Sequence, residues 1–370
     1  MRSDAIRIFL CGDVMTGRGI DQILPHAGDP RLHEAYVRDA NVYVELAERA
    51  NGPIERPVGF DYIWGASLAE LERAAPDARI VNLETSVTQS DDHWPGKGIH
   101  YRMHPGNVPC LTAAAIDCCV LANNHVLDWG YAGLEETLRT LHAAGLRTAG
   151  AGSSRKEAAA PAVVDVGGKG RVLVFGFGTE SSGCPRAWQA RQDGPGINMT
   201  GLSRSQAERA ARAMQRHKEP GDVVVASVHW GGNWGYRIPE EQRAFAHALV
   251  DSGVVDVVHG HSSHHAKGVE IYEGRPILYG CGDFITDYEG IQGYEQYRGD
   301  LSLMWIADVE PSAGELLGLE ITPFRLRRMR LEPASPEDTA WLEAVLSREG
   351  EALGTRLERT AEGKLRLQRR

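Results

Sequence analysis

Five short polar stretches of the sequence carry side chains that could hold a metal ion. They span residues 11–15, 80–84, 122–125, 223–230 and 258–265. Each follows or ends an apolar run that predicts a buried strand, and an open α/β sheet brings such strand ends to one edge. Carboxylate, amide and imidazole groups are ligands that Mn, Fe, Zn or Mg accept. The set therefore predicts a metal-dependent hydrolase.

The carboxylates of the predicted site are Asp13 and Glu84. Asp13 ends its strand beside Gly12 and Gly17, which allow a sharp turn of the backbone. Taken alone, either carboxylate could be solvated or cap a helix, so only the whole set indicates a metal. Arg18 follows the first stretch, and it either clamps a carboxylate or phosphate or pairs with a surface acid.

A tight turn is predicted at Asn123, Asn124 and His125, which place two amides and an imidazole after an apolar strand. A side-chain carbonyl there can ligate a metal, and a neighbouring imidazole can donate to a substrate oxyanion. The alternative is an Asx-turn with an ordinary polar histidine. We take Asn124 and His125 as site candidates.

Histidines mark the two remaining strand ends. His229 ends a run of Val and Ala, and on its own it would be an ordinary partly buried histidine. Residues 259–265 contain four histidines, of which we choose His261 and His264 as ligands. A core has no reason to gather so many desolvated polar groups, so the five stretches together predict a metal site. Asp283 also follows a strand and a glycine, but as a single acid it favours a structural role.

Strand and helix signals alternate along the chain before hairpin signals appear, as at 269–279. This order predicts an α/β fold with two packed sheets flanked by helices. We expect one domain at 1–330, with an insertion at about 20–63 that helps to select the substrate, and a helical carboxyl-terminal extension at 331–370.

Composition excludes several classes of protein. The chain has 370 residues and a net charge of −10, so a general attraction to nucleic acid or an anionic membrane is not expected. We expect a small-molecule or peptide-like anionic substrate instead. The six cysteines form no CxxC pair, and no stretch reaches about 18 consecutive apolar residues, so the sequence predicts a cytoplasmic protein without a membrane span. It does not indicate an oligomeric state.

Taken in order, the motifs resemble those of a known family. They are Gly-Asp-Val-Met-Thr-Gly-Arg, Asn-Leu-Glu-Thr, Leu-Ala-Asn-Asn-His-Val-Leu-Asp-Trp-Gly, His-Trp-Gly and Gly-His-Ser-Ser-His. Over about residues 6–290 the chain resembles the poly-gamma-glutamate capsule biosynthesis proteins of the CapA type, in the calcineurin-like metallophosphoesterase superfamily. The resemblance implies a fold of two packed mixed β-sheets flanked by helices.

The resemblance also implies roles for individual residues and one or two divalent metal ions. Asp13 matches the first-strand aspartate, and Glu84 stands where the superfamily has a metal-bridging aspartate. Asn124 matches the ligand amide and His125 the catalytic histidine. The imidazole ligands implied are His229, His261 and His264.

Two departures from the superfamily pattern affect the metal site. Met15 replaces a histidine ligand of the first motif, and thioether sulfur is a poor ligand for a hard cation. The histidine motif contains one extra residue, which moves the second imidazole. We therefore expect one metal position to be weak or empty.

Three functions fit the sequence. The first is hydrolysis of a phosphoester by a metal-activated water, with Asn124, His125 and the cation stabilising the developing charge. The alternatives are an accessory protein of poly-gamma-glutamate synthesis that binds a polyanion, and a metal-dependent hydrolase of a gamma-glutamyl amide. The sequence shows no amino-terminal anchor of the kind that capsule export would need, which favours the hydrolase.

Overall fold

A computed structural model describes residues 5–368. The strands within these residues are β1 (Ile6–Val14), β2 (Ala78–Leu83), β3 (Ser86–Val87), β4 (Arg102–Met103), β5 (Cys118–Val120), β6 (Arg147–Ala149), β7 (Ala151–Gly152), β8 (Ala162–Asp165), β9 (Arg171–Gly178), β10 (Gly196–Ile197), β11 (Val223–His229), β12 (Val257–His261), β13 (Val269–Tyr272), β14 (Arg275–Leu278), β15 (Asp283–Ile285), β16 (Leu301–Val309), β17 (Leu316–Arg327), β18 (Arg330–Pro333), β19 (Leu357–Arg359) and β20 (Leu365–Leu367).

The α-helices within the same residues are α1 (Gly19–Ile23), α2 (Asn41–Asn51), α3 (Ser67–Ala74), α4 (Pro109–Ala113), α5 (Gly130–Ala143), α6 (Arg155–Ala159), α7 (Arg204–Gln215), α8 (Glu240–Asp251) and α9 (Pro336–Glu351). In this described part of the chain, no helix combines the length and the apolar character needed to cross a membrane.

Two mixed β-sheets form the centre of the protein. The first runs in the order β19-β20-β17-β16-β1-β2-β5-β6, with β15 added parallel to β1 and β18 added to β17. The second runs β13-β14-β12-β11-β9-β8. Within each sheet a parallel block carries the polar strand ends, namely β1, β2, β5 and β6 in the first and β9, β11, β12 and β14 in the second.

Apolar alternation along β1 shows why the sheets stack. Ile8 and Leu10 lie in a core between the two sheets, together with Val223 and Val225 of β11. Phe9 points the other way, because successive side chains of a strand face opposite sides. Both faces of β1 are therefore buried, and this central strand holds its polar end in a fixed position.

Helices cover the outer face of each sheet. Buried residues of α2, α3 and α5 pack on the first sheet, and those of α7 and α8 pack on the second. The α/β fold of two packed mixed sheets flanked by helices is thus confirmed, as is the hairpin formed by β13 and β14.

Two predicted regions differ in detail. The insertion at 20–63 contains α1 and α2 rather than loop alone. The extension at 331–370 is helical only in α9, since β19 and β20 join the first sheet through hydrogen bonds to β17. The reason is that Leu357 and Leu365 are buried in the core between the sheets, which holds this segment in an extended form.

Candidate metal centre

Three buried carboxylates meet at the ends of the first-sheet strands. Asp13 at the end of β1 pairs in register with Asp283 of β15, and Glu84 follows β2. The Nδ2 of Asn82 donates to Asp13 Oδ1 at 2.7 Å and to Glu84 Oε2 at 3.3 Å, and so it holds these two carboxylates together. Within residues 5–368, Asp283 Oδ2 is buried and has no hydrogen-bond partner.

The carboxylates have perturbed pKa values because they are buried beside each other. Burial and then the charge of Asp283 raise the pKa of Asp13 to about 7. Burial, together with the charge of Asp13, raises the pKa of Glu84 well above its usual value. A divalent cation would offset this repulsion and would also supply a partner for Asp283 Oδ2.

A second set of ligands comes from the second sheet and from the turn after β5. His229 and His261 end the neighbouring strands β11 and β12, and their Nδ1 atoms lie 2.8 Å apart. His229 Nε2 lies 3.1 Å from Asn124 Oδ1 and 3.9 Å from Glu84 Oε1. His261 Nδ1 lies 3.9 Å from Asp13 Oδ1. The site therefore lies between the two sheets and takes side chains from both.

A chain of hydrogen bonds determines which nitrogen of His261 is free. His259 Nε2 lies 2.7 Å from the carbonyl oxygen of Cys11, so it must carry the ring proton and leave Nδ1 as an acceptor. The hydroxyl of Ser227 donates to that Nδ1 at 3.0 Å and accepts from His261 Nε2 at 2.9 Å. His261 Nδ1 is then unprotonated and faces the site, as a metal ligand must.

The ring of His229 has an acceptor at each nitrogen, namely His261 Nδ1 and Asn124 Oδ1. A neutral imidazole carries one proton, so one of these contacts lacks a proton. Protonation of the ring does not supply the second one, because burial lowers the pKa of His229 well below its ordinary value. With the Asn124 oxygen facing His229, a cation among these acceptors would satisfy both contacts.

His264 reaches the site through an unusual backbone turn. Ser262 has a φ of 100°, and its N–H donates to Asp13 Oδ2 at 3.2 Å. This turn takes up the extra residue of the histidine motif and brings His264 Nδ1 to 2.9 Å from Asp283 Oδ1. Burial alone would lower the pKa of His264, but the Asp283 carboxylate raises it above its ordinary value.

Two groups of potential ligands share Asp13. One is Asp13, His229 and His261, and the other is Asp13, His264 and Asp283; in each, one ligand atom per residue lies within 4.8 Å of the others. Asp13 rather than Glu84 is therefore the residue common to both groups. The second group contains Asp283, to which the sequence assigned only a structural role. The signal that could have found it is the Gly-Asp pair after a strand, the same form as Gly12-Asp13.

His125 lies at the edge of this cluster and is oriented by a buried acid. Its Nδ1 lies 2.7 Å from Asp128 Oδ2, and Asp128 also accepts from the N–H of Tyr101 at 2.7 Å and forms an ion pair with Lys97. Its Nε2 lies 3.7 Å from Glu84 Oε1. Burial, followed by the charge of Lys97, lowers the pKa of His125 to about 4.

Arg18 does not face the cluster with free donors. Its guanidinium pairs with both oxygens of Asp287, at 3.1 and 2.5 Å, and with Glu34 at 2.9 Å. The same group lies over two aromatic rings, at 3.8 Å from the centroid of Tyr43 and 4.6 Å from the centroid of Tyr101. The sequence allowed Arg18 either to clamp a substrate anion or to pair with an acid. In the structure it pairs with acids, and these are buried rather than at the surface. These two acids occupy the guanidinium donors that a substrate phosphate would need.

Comparison with known proteins places the chain in a family. The model of the bacterial capsule synthesis protein family, PGA_cap, matches residues 7–288. The chain belongs to this family. The match spans every strand that contributes to the cluster around Asp13, and it confirms the resemblance found in the motifs.

The chain is also similar to two named bacterial proteins. A probable polyglutamine synthesis accessory protein of Mycobacterium tuberculosis is 48% identical over 96% of this chain and 93% of its own length. The PGA biosynthesis protein CapA of Bacillus subtilis is 26% identical over 80% of this chain and 66% of its own. A solved phosphatase from Mycoplasma pneumoniae is 10% identical with a TM-score of 0.49, covering 87% of this chain and 94% of that one, a likeness too weak to bear on function.

Proposed function

We propose that this PGA_cap protein is a metal-dependent hydrolase that cleaves a phosphoester at the cluster around Asp13. The observation that carries the proposal is the geometry of the buried ligand atoms, which form two groups that share Asp13 and include the unpartnered Asp283 Oδ2. The choice of a phosphoester rests on the resemblance of the motifs to those of the metallophosphoesterases.

The ligands would divide between the two groups that share Asp13. His229, His261, Asn124 and Glu84 would complete one position, and His264 and Asp283 the other. Asp283 would supply the hard oxygen ligand that Met15 cannot, so the departure in the first motif does not leave that position without a carboxylate. A bound divalent cation such as Mn would supply Lewis acidity and lower the pKa of a water molecule.

His125 would transfer a proton to the leaving group. With the ring proton on Nδ1 directed at Asp128, Nε2 is the atom that faces the Glu84 side of the cluster. Nε2 is unprotonated near pH 7, because the pKa of His125 is about 4. An arriving anionic ester would raise this pKa, since nearby negative charge favours the imidazolium. The protonated ring could then donate to the departing oxygen.

The test compares metal content with turnover in matched variants. His125→Ala should abolish Mn-dependent hydrolysis of an aryl phosphate monoester or diester, while metal content stays as in the unchanged protein. Glu84→Ala should lose metal and turnover together. His142→Ala, which changes an exposed histidine of α5, is the control and should alter neither. Loss of metal from His125→Ala would show that this residue is a structural ligand instead.

A second function is favoured by the names of the relatives, which refer to polyglutamine synthesis and PGA biosynthesis. In that case the site would bind a γ-glutamyl polymer or cleave its amide bond. Three buried carboxylates repel such an anion, and the nearby cations Lys97 and Arg18 are already paired. Binding would therefore require the metal. Calorimetry with a γ-glutamyl oligomer, with and without chelator, distinguishes this function from phosphoester hydrolysis.

The six cysteines bear on the compartment. All of them are free and buried. Burial without disulfide bonds is typical of proteins in a reducing environment, which supports our inference of a cytoplasmic protein.

A further inference from the structure

An aromatic pair stands beside the proposed metal ligand His264. The rings of Trp234 and Tyr294 are parallel, with centroids 4.2 Å apart and an interplanar angle of 4°. Trp234 lies 5.4 Å from the ring of His264 and is tilted by 58° to it. The stack therefore begins in direct contact with the cluster around Asp13 and continues away from it.

This pair leaves apolar surface in contact with solvent. Tyr294 is 46% exposed although one face of its ring is covered by Trp234. Its exposed area must then come from its other face and its edge. Ile291, on the same loop, is also 46% exposed. An exposed aromatic face beside a polar site is available to stack on a ring of a ligand.

The position of the stack is fixed relative to the metal ligands. The N–H of His264 donates to the carbonyl oxygen of Asn233 at 2.9 Å, so the loop that carries Trp234 is tied to the ligand loop. Tyr297 supports Trp234 from a second side, at 5.5 Å between centroids. At Gly232 and Gly235, the glycines that flank this segment, an added Cβ would meet nothing within 4 Å, so the space there is open.

We propose that the Trp234–Tyr294 stack binds a flat or ring-shaped group of the substrate, attached to the ester that is cleaved at Asp13. This inference rests on the proposed function and adds the substrate class to it. A nucleobase would stack through its π face and a sugar through its C–H face, and the two share an extended apolar ring surface. A linear alkyl group offers no such face.

The experiment compares ring and linear esters in matched variants. With Mn present, KM should be measured for phenyl phosphate, a nucleoside monophosphate, a hexose phosphate and butyl phosphate. Tyr294→Ala and Trp234→Ala should raise KM about tenfold for the ring esters that bind the stack and leave butyl phosphate unchanged. Tyr294→Phe should keep the original KM values, because it retains the ring. Tyr272→Ala, which removes one ring of a separate stack formed by Tyr272 and His247, is the control.

The outcomes separate this inference from the proposed function. Equal losses for ring and linear esters, or no loss in either alanine variant, would overturn the stack as a ring-binding site. If no ester is hydrolysed, the proposed function fails, and the stack is tested by calorimetry with the nucleoside monophosphate, the hexose phosphate and butyl phosphate. A preference for either ring ester over butyl phosphate that disappears in Tyr294→Ala supports the inference, and an absence of preference refutes it. The nucleoside and hexose esters show which kind of ring is bound.

Discussion

Replacing Asp283 with Asn should change the stability of the protein in opposite directions with and without metal. The substitution keeps the shape of the side chain and an oxygen that can accept from His264 Nδ1, but it removes one negative charge from the cluster. In the metal-free protein that charge is unfavourable, since it helps to raise the pKa of Asp13 to about 7. In the metal-bound protein the same charge would be a ligand.

The magnitude follows from the pKa and from the geometry. A rise in the pKa of Asp13 from 3.8 to about 7 corresponds to about 4 kcal/mol of unfavourable ionisation, most of it due to burial. Two unit charges within 4.8 Å interact by about 3 kcal/mol at an effective dielectric constant of about 20. We therefore expect Asp283→Asn to stabilise the metal-free protein at pH 8 by up to about 3 kcal/mol, less the contribution of the Asp283–His264 pair.

The sign of the pH dependence follows from proton binding. The pKa of Asp13 is higher in the folded protein than in the unfolded chain, so the folded state binds more protons between about pH 4 and pH 7. The metal-free protein should lose stability as pH rises through this window. Near pH 4 Asp13 is largely protonated, so the gain from Asp283→Asn should shrink there.

Thermal unfolding after chelation and then with added Mn measures both effects. The expected result is a melting temperature a few degrees higher without metal, and a smaller increase when metal is added. Asp193→Asn removes the same charge from an exposed position and should change neither value. An unchanged metal-free stability at pH 8, combined with an unchanged response to Mn, would refute the placement of Asp283 in the centre.

Three further substitutions test the support of the site. Ser227→Ala removes the hydroxyl that orients His261, and it should lower metal affinity about 10- to 100-fold in a titration while the protein still folds. Asp128→Asn should reduce kcat about a hundredfold with metal content unchanged, because the proton on Nδ1 of His125 loses its carboxylate partner. Gly12→Ala should greatly reduce soluble protein and melting temperature, because its Cβ would lie 1.5 Å from the backbone carbonyl oxygen that precedes Asp283.

Local sequence patterns were enough to predict the strand ends that carry the site. An apolar run followed by a short polar cluster is a signal contained within about ten residues, as at Asp13, His229 and His261. The alternation of strands and helices was likewise enough for the fold class, because buried faces with the right period leave few ways to pack. The structure brings these predicted residues together, and their role as ligands stays a prediction.

The tertiary structure alone decided which groups meet across long separations in the chain. Asp283 becomes a neighbour of Asp13 because β15 pairs parallel to β1. The sequence of neither strand predicts that register. Arg18 likewise donates a hydrogen bond to Asp287, which is 269 residues away in the chain. Strand register and the stacking of two sheets depend on the whole core, so a short motif specifies which side chain is available but not what it will face.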